Sequence, residues 1–218
     1  METIKPEGDF THSLWEAIQP VYNKLIDHSF VNKLADGTLA HTSFAHYLSQ
    51  DVLYIRDDAK ALKELSEKAA KSTEKSFFIS LANDGIAIEQ ELHNHFLEHF
   101  KVIEAKEKSP VIKAYTNFLL EHSAKSSYGI AAAALLPCYW IYYVVGKHIV
   151  LNATKNNKYQ KWIDTYQGDE FGYYTKNFIR IVERIAKTAS STEKEKMTDA
   201  FVTAGKFELN FFNEAIMK

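Results

Sequence analysis

The chain has 218 residues, with 26 basic and 28 acidic side chains and a net charge of −2, so it lacks the basic footprint of a nucleic-acid binder. Hydrophobic residues make up 46%, which with so small a net charge excludes a disordered chain. Eight Gly, four Pro and one Cys exclude a turn-rich all-β architecture, internal disulfides and multi-cysteine zinc sites, and the lone thiol suits a reducing compartment.

Apolar spacings of three and four recur along the chain, and alternating strand-like runs are missing. The N-terminus has no basic n-region and no apolar h-region, so no secretory leader is expected. A first helix starting near Asp9 or Thr11 buries Leu14, Ile18, Val21 and Leu25, with Pro20 as a point of kinking. His28 to Ala35 forms a short helix, ended by the Asp36-Gly37 turn. Thr42 caps a long helix reaching about Ala70, and another long helix follows Ser72 or Thr73. Ser109-Pro110 starts the next, with proline at its first position.

An apolar helix then runs from about Tyr128 to Leu151. Its apolar stretch from Ile130 to Val145 is short for a membrane span and carries three tyrosines, so a buried core helix in a soluble, cytoplasmic protein is expected. A short helix spans Tyr159 to Tyr166. Asp169 caps the helix carrying Phe171, Phe178 and Ile181, and Thr192-x-x-Glu195 forms a capping box for the last helix, ending near Ile216. No linker or composition shift divides the chain. The expectation is one all-α domain over 1–218, a single-domain helical bundle of seven or eight helices.

Three segments carry polar chemistry on apolar helices. Cys138 follows Pro137, which removes a backbone donor and should kink the helix one turn earlier; Tyr142 lies four residues on, on the same face. The residues alone favour an inert small hydrophobe at Cys138. Tyr47, Asp51, Tyr54 and Asp58 form a polar stripe on a helix that is otherwise apolar, where a carboxylate needs a partner, be it a ligand or a neighbouring helix. Glu208 sits among Phe207, Phe211 and Phe212; it is either a surface glutamate or an acid whose neutral form is favoured by desolvation.

Glu89, Glu91, His93, His95, Glu98 and His99 cluster, but Glu-x-x-His and His-Glu-x-x-His occur nowhere, so no metal site is expected. Gly-rich phosphate loops and a Gly-x-Ser-x-Gly elbow are also missing.

Taken together, the motifs resemble the TenA family, also called thiaminase II or aminopyrimidine aminohydrolase. They are His-Ser-Phe-Val-x-x-Leu-Ala-Asp-Gly-Thr-Leu at 28–39, Phe-x-x-Tyr-Leu-x-Gln-Asp-x-x-Tyr at 44–54, Glu-x-x-Leu-His at 89–93, Pro-Cys-x-Trp-x-Tyr at 137–142 and Phe-Glu-x-x-Phe-Phe at 207–212. The resemblance implies the haem-oxygenase-like helical fold, a homotetramer, no cofactor, and a small aminopyrimidine or thiamine as substrate.

It further implies Cys138 as nucleophile and Glu208 as the activating acid. Asp51 becomes a pyrimidine-binding carboxylate, and Tyr54, Tyr115, Tyr142, Tyr166 and Phe211 line the pocket. The cysteine places the chain in the cysteine-bearing branch. Its departure is the bulky Ile141-Tyr142-Tyr143-Val144-Val145 between Trp140 and Gly146, which bears on substrate choice. A non-catalytic pyrimidine-binding or regulatory protein, an oxidative cofactor-synthesis relative, and a haem-binding protein with His12 or His28 as axial ligand share this fold and are the alternatives.

Overall fold

The computed structural model describes residues 4–91, 95–167 and 169–218, and for residues 89, 166, 167 and 169 the backbone alone. Every regular element among the described residues is helical. In chain order they are α1 (Asp9–Ile26), α2 (Ser29–Asp36), α3 (His41–Lys68), α4 (Ser72–Glu91), α5 (Leu97–His99), α6 (Pro110–Lys125), α7 (Tyr128–Asn152), α8 (Gln160–Ile163), a 3-10 turn (Asp164–Gln167), α9 (Asp169–Ala186) and α10 (Ser191–Ile216). This all-α bundle is the haem-oxygenase-like architecture.

Several ends follow local rules. Ser109, with Pro110 behind it, accepts the Ile112 N–H at 3.1 Å. Gly37 ends α2 at φ 79°, in the left-handed region that glycine enters without penalty. Other ends are set by distant contacts. Thr11, at the start of α1, is met by Glu183 of α9, whose Oε2 accepts the Thr11 N–H at 2.8 Å and its hydroxyl at 3.0 Å. An acid there also suits the positive end of the α1 dipole.

Two expected caps differ. α3 starts one residue before Thr42, after Ala40, with no side-chain cap; His41 Nε2 instead meets the Phe100 carbonyl at 2.6 Å. The last helix is capped by Ser190, which accepts the Glu193 N–H at 3.2 Å, rather than by Thr192. Glu193 is at the same time hydrogen-bonded by Ser127, the N-cap of α7, and this link holds the start in place. The Tyr159–Tyr166 segment is a single α turn followed by a 3-10 turn. Asp169 begins α9, but its side chain lies outside the described residues.

α7 runs unbroken through Pro137 and is apolar on all sides because α10, α9, α6, α2 and α3 pack around it. At 25 residues it is long and apolar enough to cross a membrane, yet 78% of its apolar window is buried in the bundle. α10 approaches α1 and α7 at Gly205, where a Cβ would stand 2.5 Å from Ile18 Cδ1 and 3.0 Å from Ile141 Cδ1. Gly205→Val should therefore lower stability by about 2 kcal/mol through overpacking. The measurement is the urea midpoint at unchanged slope; an equal or higher midpoint would mean that the two isoleucine tips absorb the added methyls.

Candidate active site

Asp51, Tyr54 and Asp58 follow one another on α3 at spacings of three and four, hence on one face. α3 packs against α6, α7 and α10, and so brings that face to Tyr115 of α6, Cys138 and Tyr139 of α7, and Glu208 of α10. All of these are buried except Cys138, which keeps some accessible surface.

The Tyr115 hydroxyl donates to Glu208 Oε1 at 2.6 Å, and the Tyr139 hydroxyl donates to Asp58 Oδ2 at 2.8 Å. Aromatic rings wall the cluster. Tyr54 lies 5.0 Å from Tyr115, which stacks on Phe207 at 5.2 Å. Phe211 stacks on Tyr47 at 4.9 Å, and Tyr142 lies over Phe212 at 6.3 Å.

Three buried acids therefore share the site with no ion pair to any of them among the described residues. Lys60 and Lys108 pair with the adjacent Asp57 instead, and hold its carboxyl below the usual range against the effect of its burial. Burial pushes Asp51 up to about 7, and Asp58 to about 7 against the opposing Tyr139 hydrogen bond. Glu208 rises to about 8; burial is the main cause, Asp51 and Asp58 add to it, and the Tyr115 hydrogen bond opposes it.

Cys138 is likewise raised, first by burial and then by the fields of Asp58 and Glu208. The Tyr54 hydroxyl makes no hydrogen bond of normal geometry, yet lies close enough to the sulfur to oppose that rise. The resting cysteine is thus a thiol, among acids whose surplus suits a donor-rich or cationic group. A protonated carboxyl at Glu208 can also donate to a ring nitrogen near neutral pH.

Of the residues singled out from the sequence, Cys138, Glu208, Asp51, Tyr54 and Tyr115 come together in this cluster. Phe211 and Tyr142 belong to the adjoining aromatic stack. The Tyr166 side chain lies outside the described residues, as do His93 and the Glu89 side chain. Two residues carry more than sequence reasoning assigned. Asp58 is legible in the sequence only as the end of the α3 stripe, and nothing in the sequence marks Tyr139 beyond its place directly after the cysteine. No group of three or more His, Cys, Asp or Glu side chains that could hold a metal occurs among the described residues. Two open clefts, of about 450 and 630 Å³, lie elsewhere, one around Phe118, His122 and Lys196 and the other around Phe77, Tyr173 and Arg184.

The helical bundle gathers one thiol, stacked aromatics and three acids without an ion pair among the described residues in its interior, the makings of a reactive centre. Residues 15–218 match the TENA/THI-4/PQQC family, and the chain belongs to it. Among its relatives, the thiamine biosynthesis multifunctional protein ThiED of Corynebacterium efficiens is 33% identical over 97% of this chain. The chain spans 29% of that protein's length. An aminopyrimidine aminohydrolase of Halalkalibacterium halodurans is 30% identical over 94% of this chain and 95% of its own. The crystal structure of a TenA family transcription regulator from Silicibacter superposes with a TM-score of 0.89 at 26% identity, covering 98% of this chain and 99% of that one.

Proposed function

We propose that the chain is an aminopyrimidine aminohydrolase of thiamine salvage. It would convert 4-amino-5-aminomethyl-2-methylpyrimidine to the 5-hydroxymethyl compound and ammonia, with cleavage of thiamine to hydroxymethylpyrimidine and thiazole as a second activity. The observation that carries this is the meeting of Cys138 with the Tyr115–Glu208 pair and Asp51 in one buried, cation-free cluster. The names of the full-length relatives point the same way.

In this reading the ring lies against Tyr54 and Phe211, which offer broad contact at little entropy cost. Tyr142 completes the wall, and Tyr166 is assigned there by the family resemblance alone. Asp51 and Glu208 take the ring nitrogens and the ring amine. A ring held with added positive charge offsets the field of the acids, and the Cys138 thiol can then ionise. The thiolate adds to the unsubstituted ring carbon next to the one bearing the methylene. The C–N bond of the methylene breaks, its electron pair leaves with nitrogen, and an exocyclic C=C forms. Water adds to that methylene, and expulsion of the thiolate restores the aromatic ring. The covalent adduct divides one difficult displacement into easier steps. The chain would act as a single domain, in the cytoplasm and as a homotetramer, with no cofactor called on.

The test is to incubate the purified chain with the aminomethylpyrimidine and with thiamine and to quantify the products. Equimolar ammonia and hydroxymethylpyrimidine are expected from the first. Binding of the hydroxymethyl compound without any turnover would replace the reading by a pyrimidine-binding protein. Oxygen uptake without ammonia would replace it by an oxidative relative.

A further inference from the structure

We infer that Asp58 is the anchor for a primary ammonium group on the substrate, and that it biases the pocket toward an amine leaving group over a thiazolium. The inference rests on the pyrimidine reading above and adds a specificity-determining residue to it.

Asp58 is only 6% exposed, on the stripe that already carries Asp51 and Tyr54. Its two oxygens are in different situations. Oδ2 accepts the Tyr139 hydroxyl at 2.8 Å, while Oδ1 is buried with no hydrogen-bond partner among the described residues. A buried acceptor left empty costs free energy, and such groups are normally satisfied. The neighbouring cations do not serve it, since Lys60 and Lys108 are bound to Asp57.

Position supplies the second argument. Among charged groups, Asp58 acts most strongly on the Cys138 thiol, ahead of Glu208 and Asp51. Attack by that sulfur next to the methylene-bearing carbon would bring the methylene substituent near the sulfur, within the reach of the same Asp58 carboxylate. Tyr139 is the positioning residue: its ring packs on Phe171 and Phe178 of α9, at 6.0 and 5.5 Å between centroids, and fixes the carboxylate by its hydroxyl.

Donor counting supplies the third. The ring nitrogens and ring amine occupy Asp51 and Glu208, so a third acid is surplus for the ring alone. An aminomethyl substituent carries a third donor group, which is charged at neutral pH. The thiazolium of thiamine is cationic but attaches through a nitrogen that bears no hydrogen, so it cannot fill Oδ1. An amine held as ammonium departs as neutral ammonia with the C–N electron pair and needs no further proton.

The experiment compares two probes by calorimetry on the full chain carrying Cys138→Ala to stop turnover. The probes are 4-amino-5-aminomethyl-2-methylpyrimidine and 4-amino-2,5-dimethylpyrimidine, which differ only in the amine. With Asp58 present, the amine probe should bind tighter by about tenfold to a hundredfold, the range of a hydrogen bond to a charged group. Asp58→Asn should cut that preference to below about threefold while the dimethyl probe keeps its affinity, which also shows that the pocket is folded.

Equal affinity for the two probes with Asp58 present, or a preference that survives Asp58→Asn, overturns the inference alone. Failure to bind either probe with Asp58 present sinks the pyrimidine reading beneath it. If Asp58→Asn also loses the dimethyl probe, the comparison with Asp58 present still decides. Tyr139→Phe then serves as the second variant and should weaken the preference by releasing Oδ2.

Discussion

Cys138→Ser should abolish release of hydroxymethylpyrimidine from both the aminomethyl compound and thiamine, with a loss in kcat of at least about a thousandfold. Its basis is the electrostatics around the sulfur. Burial, Asp58 and Glu208 already hold the thiol protonated. A thiol in that setting can still be brought to ionise by a cationic ring, because its ordinary pKa is near 8.5. A serine hydroxyl starts many units higher and faces the same acids, so it yields no usable nucleophile. Structure should be almost unchanged. The side chains are nearly the same size, and Cys138 makes no disulfide. The unfolding free energy should stay within about 1 kcal/mol of wild type. Product is followed by chromatography, and retained affinity for hydroxymethylpyrimidine shows that the pocket survives. Turnover within about tenfold of wild type would remove Cys138 from the chemistry and leave the acids to act on water directly.

Most of the bundle was legible in the sequence because its helices bury periodic apolar faces. Leu14, Ile18, Val21 and Leu25 are the core face of α1 as their spacing requires. Ser109-Pro110 and Asp36-Gly37 act at helix ends through local chemistry that needs no tertiary partner. The start of α3 has no side-chain cap to announce it, and at α10 two serines and a threonine in a row, Ser190 to Thr192, offer rival caps, of which Ser190 is the one used.

The site divides in the same way. Asp51, Tyr54 and Asp58 announce a polar stripe by spacing alone, since an acid on a core face requires a partner. Whether Glu208 faced the core or the solvent could not be read from α10, whose sequence allows both. Only the packing of α6 decides it, by bringing Tyr115 to 2.6 Å from the carboxylate and leaving the acid 2% exposed. Tyr139 is illegible in the sequence for a related reason: it lies on a different face of α7 from Cys138 and Tyr142, and points to α3 and α9.

Glu208→Gln should lower turnover by about a hundredfold to a thousandfold and at the same time make the protein more stable in alkali. The two effects come from one property. In the folded chain the Glu208 carboxyl titrates at about 8, chiefly because burial disfavours its charge. Unfolded, it titrates near 4.3. Its folded pKa is raised, so its contribution is fully present below about pH 4, declines as pH rises, and is lost once pH passes about 8. Wild type should therefore be less stable at pH 9 than at pH 6, with Asp51 and Asp58, both at about 7, contributing in the same direction. Glutamine keeps an oxygen to accept the Tyr115 hydroxyl but carries no charge to bury. The variant should exceed wild type by roughly 5 kcal/mol at pH 9, and by about 1 kcal/mol near pH 5. Catalysis moves the other way, since an amide has no proton to lend to a ring nitrogen. Urea midpoints at the two pH values, beside kcat for the aminomethylpyrimidine, measure both sides. A glutamate kept for packing would give lower stability and little change in turnover. A variant that is slower yet sturdier at pH 9 marks an acid held in the core at a cost to the fold because the reaction uses its proton.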